Sequence, residues 1–197
     1  MNRLLKGAVL ALGLALAAVG PGAAQMVPGL TAEAARWESQ HVRPAPRKLT
    51  APDFPILHAA EGRKGSLADY KGRVAVVTLW KSDCPICRRE MPILDRLGAE
   101  MAPEGLVMAP LTLDLDLDRA RFAFEGWGVR SLPVIQDLER INGTFFALSV
   151  HQSMSISTPT TYVLDKAGEI RGVVWGAGDW DSPGARDWLR ALMAESV

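Results

Sequence analysis

The chain has 197 residues, of which 48% are hydrophobic and 22% are charged. This length and apolar content fit one globular domain with a substantial core. The 22 basic and 22 acidic residues balance, so the composition excludes the strongly basic surface of a typical nucleic-acid-binding protein.

The N-terminal residues have the pattern of a secretory signal peptide. Arg3 and Lys6 precede an apolar run at 7–19, and small residues follow up to Ala24. This order predicts cleavage after Ala24 and therefore export of the protein. The alternative is an uncleaved membrane anchor, although the apolar run is short for a full membrane span.

Residues 25–50 contain proline, alanine and arginine without a sustained period. We expect a mobile linker or N-terminal extension there, with a short helix around 31–39. Trp37 and His41 of this segment are interpreted as surface or docking residues. The folded domain is expected to occupy residues 51–197.

The most informative motif is the pair Cys84 and Cys87, the only two cysteines of the chain. It follows an apolar, largely β-branched run at 74–80, typical of a strand buried on both faces, and precedes a helical pattern at 85–101. A strand that ends in C-x-x-C and opens a helix is the pattern of a redox dithiol. The helix N-terminus favours a thiolate on Cys84, and Cys87, one turn later, is placed to resolve a mixed disulfide.

Three other interpretations of the cysteine pair compete with a redox dithiol. A structural disulfide closing so small a loop would remove little entropy from the unfolded chain. A zinc site needs about four ligands, and the three histidines, at 41, 58 and 151, form no second ligand pair. A peroxidatic cysteine would need no partner at this spacing.

The remaining pattern alternates strands and helices. Within the helix at 85–101, Arg88, Arg89 and Glu90 are interpreted as a solvated face. A strand is predicted at 106–113, with Pro110 near its end or at a bulge because proline cannot donate a ladder bond. A helix at about 118–125 should turn Phe122 toward the core. Further elements are predicted as a strand at 132–137, a helix at 138–150, a hairpin of strands at 160–165 and 169–175, and a helix at 183–194.

The segment Ser157-Thr158-Pro159, directly before the strand at 160–165, is the second motif of interest. Together with the run 65–72, the strand at 74–80 and the motif Cys84-Pro85-Ile86-Cys87-Arg88-Arg89-Glu90-Met91-Pro92, it resembles thioredoxin-like proteins of the TlpA/ResA group. These belong to the AhpC/TSA redoxin superfamily and are bacterial, extracytoplasmic thiol–disulfide oxidoreductases. The resemblance runs from about Pro52 to the C-terminus.

The resemblance implies a thioredoxin fold, an α/β architecture with a central mixed sheet of about five strands flanked by helices. An N-terminal extension and an insertion before the cis-proline strand would be added to it. It also implies a cis Thr158–Pro159 bond facing the dithiol, with Thr158 offering its backbone to an extended substrate. Substrate contacts are expected at Thr158, Pro159, Trp80, Pro85 and Ile86.

Two positions depart from the patterns of the resembled proteins. Thr78 stands where thioredoxin has a buried acid that assists proton transfer, so the proton of Cys87 must leave by water or by another group. Asp83 stands where relatives usually have an aromatic residue before the first cysteine. A carboxylate there should raise the pKa of Cys84, and Lys81 should offset part of that effect.

The expected function is a periplasmic thiol:disulfide oxidoreductase that works as a reductase and needs no cofactor besides the Cys84–Cys87 pair. The resemblance implies protein clients in cytochrome c maturation, copper-site assembly or sulfur oxidation. It also implies a membrane electron donor of the CcdA/DsbD type, and we expect a monomer. A thiol peroxidase of the peroxiredoxin type and a copper-binding assembly factor remain as alternatives, although the peroxidase motif would require threonine at Lys81.

Overall fold

The computed structural model describes residues 27–45 and 47–196 of the chain. The expected signal peptide at residues 1–24 lies outside this range. The helices are α1 (Ala32–His41), α2 (Pro85–Met101), α3 (Leu117–Trp127), α4 (Ile141–His151) and α5 (Pro183–Ala194). The strands are β1 (Pro55–His58), β2 (Arg63–Ser66), β3 (Ala75–Trp80), β4 (Val107–Thr112), β5 (Ile135–Asp137), β6 (Thr160–Leu164) and β7 (Ile170–Trp175).

All seven strands form one mixed sheet in the order β2-β1-β5-β4-β3-β6-β7. The central strands β3, β4 and β5 are parallel, and β6 and β7 continue the sheet in antiparallel pairing. The β1–β2 hairpin joins β5 and accounts for the two strands beyond the five expected. The sheet has the thioredoxin fold, with α4 as the insertion before β6, so the predicted fold class is confirmed.

Helices cover both faces of the sheet, so its central strand is buried on both sides. Every residue of β3 is buried. Val76 and Trp80 face the apolar core that α1, α2, α3 and α5 close, whereas Val77 and Leu79 face the core beneath α4. No helix in the described part of the chain is both long and apolar enough to cross a membrane.

Pro110 lies inside β4 without a bulge, so the expectation for this residue was wrong. It pairs with Thr78 of β3 in regular parallel register. Val107 and Leu113 donate their N–H groups to β3, so the alternation along the strand turns the nitrogen of Pro110 to the other side. Pairing with β5 begins only at Leu111, and the missing N–H therefore leaves no ladder partner unmatched.

The N-terminal extension is more ordered than a mobile linker. The helix predicted there is α1, which begins after the N-cap Thr31 and packs against α5. Trp37 is only 3% exposed, so its interpretation as a surface residue was wrong. The prediction that Phe122 of α3 faces the core was also wrong. Phe122 is 72% exposed, and Ala120 and Phe124 are buried instead.

Candidate functional site

The two cysteines lie at the start of α2, where they are joined as a disulfide. Cys84 is the N-cap residue, and its sulfur accepts the backbone N–H of Cys87 at 3.1 Å. Cys84 is 8% exposed to solvent, whereas Cys87 is fully buried. An incoming sulfur therefore has access to Cys84 first, and the unpaired N–H groups of the first helical turn stabilise negative charge on it.

The segment before β6 faces this disulfide. The Thr158–Pro159 peptide bond is cis, and the carbonyl oxygen of Thr158 lies 3.5 Å from the Cys84 sulfur. A disulfide sulfur has no proton, so this is a van der Waals contact in the oxidised protein. Pro159 is tied to the end of β7 because its carbonyl accepts the N–H of Gly176 at 2.9 Å. The structure thus brings the two motifs together.

A buried carboxylate fixes the loop that leads into the dithiol. Asp114, which follows β4, accepts the backbone N–H of Ser82 at 2.8 Å and its hydroxyl at 3.1 Å. The hydroxyl of Thr112 donates to the same carboxylate at 3.0 Å. These bonds hold the residue two positions before Cys84, and the sequence analysis did not identify this role of Asp114.

Lys81 and Asp83 form an ion pair at 3.1 Å on the exposed side of the loop. The hydrogen bond and the charge of Lys81 hold the pKa of the Asp83 carboxyl below its usual range. Asp83 is therefore ionised at neutral pH beside Cys84, and Lys81 is close enough to offset its charge. The effect of this pair on the Cys84 pKa stays a prediction.

Trp80 was expected to contact substrate, and this expectation was wrong. It is fully buried, stacks on Phe124 at 4.3 Å between ring centroids, and donates its indole N–H to the carbonyl of Pro110. The pleat of β3 turns its side chain into the core, so it offers no surface to a substrate. Pro85 and Ile86, between the cysteines, are exposed, as an expected contact surface requires.

Glu90 is the residue near the dithiol that the sequence analysis misjudged most. It is 1% exposed, not part of a solvated face. One of its oxygens, Oε1, accepts the backbone N–H of Gly178 and the indole N–H of Trp180, each at 2.9 Å. The other, Oε2, has no hydrogen-bond partner among the described residues. Burial raises the pKa of Glu90 to about 7, although both hydrogen bonds oppose the rise.

Glu90 lies on the same side of α2 as the resolving cysteine. Cys87 and Glu90 are three residues apart on α2 and therefore share one face of the helix. Thr78, on the neighbouring strand, bonds to the hydroxyl of Thr161 at 2.9 Å, and neither hydroxyl titrates near neutral pH. Glu90, on the same helix as the dithiol, therefore offers a carboxyl whose pKa of about 7 suits proton exchange at neutral pH.

Residues 27–45 and 47–196 contain no cluster of three or more histidine, cysteine or acidic side chains arranged to hold a metal ion.

Comparison with known proteins agrees with this geometry. Residues 48–173, more than half of the chain, match the model of the AhpC/TSA family. The chain belongs to the AhpC/TSA family. The thioredoxin-like protein YneN of Bacillus subtilis is 32% identical over 124 residues, covering 62% of this chain and 68% of the relative. The thiol:disulfide interchange protein DsbE of Pseudomonas aeruginosa is 31% identical over 139 residues, covering 68% and 71%.

Solved structures show the same fold. A thioredoxin-family thiol:disulfide interchange protein from Chlorobium tepidum superposes with a TM-score of 0.61 at 23% identity, over 74% of this chain and 97% of the other. The MTB dsbF structure gives a TM-score of 0.57 at 19% identity, over 73% and 99%. The chain combines a cysteine pair at the start of α2 with membership of this family and with this fold. The protein is therefore an oxidoreductase of the thiol–disulfide class.

Proposed function

We propose that the protein reduces disulfide bonds of other proteins outside the cytoplasm, with Cys84 as nucleophile and Cys87 as resolving residue. The observation that carries this proposal is the contact at 3.5 Å between the Cys84 sulfur, at the start of α2, and the carbonyl of Thr158. A substrate segment paired with the backbone of Thr158 would bring its disulfide to the exposed side of Cys84.

The reaction proceeds through a mixed disulfide. The Cys84 thiolate attacks one substrate sulfur, a Cys84–substrate bond forms, and the second substrate sulfur leaves as a thiolate. Cys87 then gives its proton to Glu90 and attacks Cys84, which releases the first substrate sulfur. Two electrons pass to the substrate, its two thiolates take up protons, and the enzyme is left with the Cys84–Cys87 disulfide.

The surface beside the cis-proline segment supports a protein client. Ile86, Met154 and Trp175 are apolar and exposed, and Trp175 pairs with Thr160 directly after Pro159. Exposed apolar side chains around a reactive group are typical of a protein-binding surface. Clients in cytochrome c maturation, copper-site assembly or sulfur oxidation are the classes that we propose.

The proposed compartment is the periplasm, supported by the signal-peptide pattern of residues 1–24. A reductase working in that oxidising compartment must be reduced again, and we propose a membrane electron donor of the CcdA/DsbD type. No cofactor enters this scheme. Dithiol proteins of this kind span potentials of roughly −270 to −120 mV, and the reductase direction requires a value toward the lower end.

Trapping of the mixed disulfide tests the proposal. A Cys87→Ala protein expressed in its host cannot resolve the intermediate, so Cys84 should retain client proteins that dithiothreitol releases. The matched control is the Cys84→Ala, Cys87→Ala double variant, which should retain none. Equal recovery of proteins on both variants, or none on either, would contradict the proposal.

A further inference from the structure

The N-terminal helix α1 reaches the loop at 176–182 that lies beside the dithiol helix. Trp37 of α1 is buried and donates its indole N–H to the backbone carbonyl of Asp179 at 2.9 Å. Its ring also packs against Trp180, with 5.1 Å between the ring centroids. The segment outside the family-matched residues 48–173 therefore touches the surroundings of the site.

The residue held by Trp37 lies between the two donors to Glu90. Gly178 and Trp180, which flank Asp179, supply both of the hydrogen bonds that Glu90 accepts. The two donors lie side by side, because Gly178 packs directly on the Trp180 indole: a Cβ added to Gly178 would come within 2.6 Å of the indole nitrogen. A shift of the Asp179 carbonyl would thus move both donors together.

The packing of α1 on α5 leaves little space for the helix to move. A Cβ added to Gly184 of α5 would lie 2.7 Å from the carbonyl of Glu33 and 2.9 Å from the Cβ of Trp37. Glu38 accepts the indole N–H of Trp188 at 2.8 Å on the same interface. Helix α1 is therefore seated closely enough to hold Trp37 in one position.

We propose that helix α1 is a positioning element of the redox site: through Trp37 it fixes the loop at 178–180 and so sets the hydrogen bonds that Glu90 receives. The proposal rests on the proposed function, in which Glu90 accepts the proton of Cys87. Trp37 touches neither substrate nor sulfur in this scheme and acts through the loop alone.

Three charged groups on the packed elements have partners other than Glu90, and the side chains of Asp179, Arg88 and Arg89 are exposed to solvent. Those partners are Trp188 for Glu38, Arg96 for Asp181 and Arg186 for Glu100. On α2 itself, Cys84 and Cys87 are the titratable neighbours, and both are silent while they form the disulfide. In the oxidised protein, the titration of Glu90 therefore reports its burial and the donors from the loop.

The test is a carbon NMR titration of the Glu90 carboxyl in the oxidised full-length protein. Trp37→Phe keeps the aromatic ring but removes the N–H donor, and we expect the midpoint to rise by roughly half a pH unit as the loop loosens. Trp180→Phe removes a direct donor and should raise the midpoint at least as much. Tyr162→Phe is the matched control, because it removes a polar group from a buried aromatic ring, bonded to His151 at 2.6 Å, on the opposite face of the sheet from α1 and the loop, and it should leave the midpoint unchanged.

Two results would overturn the role of α1. One is a midpoint in Trp37→Phe equal to that of wild type, together with a raised midpoint in Trp180→Phe. The other is an equal shift of the midpoint in Tyr162→Phe, which would indicate a general loosening of the protein. Should Trp37→Phe not fold, Gly184→Ala displaces the same helix from the other side and carries the same expectation. The titration does not depend on enzyme activity, so a protein inactive on disulfides would contradict the proposed function without changing this result.

Discussion

The indole N–H of Trp180 donates to Oε1 of Glu90 at 2.9 Å, in a position where the carboxyl is almost completely buried. This bond, made by a residue ninety positions further along the chain, favours the charged form of a carboxyl on the dithiol helix, although burial outweighs it. Burial raises the pKa of Glu90 to about 7, so the group changes its protonation within the pH range in which the enzyme must work.

Glu90→Gln should change how stability depends on pH. The pKa of Glu90 is higher in the folded than in the unfolded protein, so wild-type stability falls as pH rises from about 4.5 to about 7, and the loss is complete above that range. Urea unfolding of the oxidised proteins should therefore show the variant gaining roughly 1–3 kcal/mol on wild type between pH 4 and pH 8. Glu125→Gln, an exposed carboxyl on α3, is the control. Parallel pH profiles of stability for wild type and Glu90→Gln would show that Glu90 has the same pKa in the folded and the unfolded protein.

Asp83→Asn should lower the pKa of Cys84. The Asp83 carboxylate disfavours a neighbouring thiolate, and its ion pair with Lys81 at 3.1 Å offsets only part of the charge. Thiolate absorbance, titrated in a Cys87→Ala background so that one thiol is observed, gives the midpoint. Lys81→Met should move it in the opposite direction. An Asp83→Asn midpoint equal to that of the parent would rule out this tuning.

Asp114→Ala should destabilise the protein by about 1–3 kcal/mol and slow disulfide reduction. The variant leaves the half-buried N–H of Ser82 and the buried hydroxyl of Thr112 without their acceptor. Chemical unfolding and an insulin reduction assay measure the two effects. Asp118→Ala, which removes an exposed carboxylate on α3, should change neither. Wild-type activity in folded Asp114→Ala would show that the loop before Cys84 needs no such anchor.

Trp175→Ala should weaken client binding without changing the dithiol. Trp175 is 61% exposed, and its backbone pairs with that of Thr160, the residue after Pro159. We expect a several-fold rise in KM for a protein client, with an unchanged redox equilibrium against glutathione. Phe122→Ala removes an aromatic side chain that is 72% exposed on α3 and serves as the comparison. Identical KM changes in the two variants would indicate a nonspecific surface effect.

Sequence reasoning predicted the fold and the two motifs because their signals are local. The apolar run before Cys84, the helical pattern after it and the proline before β6 each report on a few neighbouring residues. Their meeting at 3.5 Å followed from the resemblance to a known fold, not from the pattern of residues.

What the sequence did not reveal depends on contacts between distant segments. Glu90 stands in a charged run, and only its position three residues after Cys87, beside the buried Met91, hinted that it faces inward. Its donors are about ninety residues away along the chain. Trp37 was misjudged for the same reason, since the partners that bury it belong to α5 and to the loop before α5.

Reduction of insulin disulfides by the purified protein, with dithiothreitol as electron source, tests whether Cys84 and Cys87 form the working dithiol. The account predicts acceleration by wild type, and loss of that acceleration in both Cys84→Ser and Cys87→Ser, because the first lacks the nucleophile and the second cannot resolve the mixed disulfide. Full activity in either variant would contradict the assignment of this cysteine pair as the working dithiol.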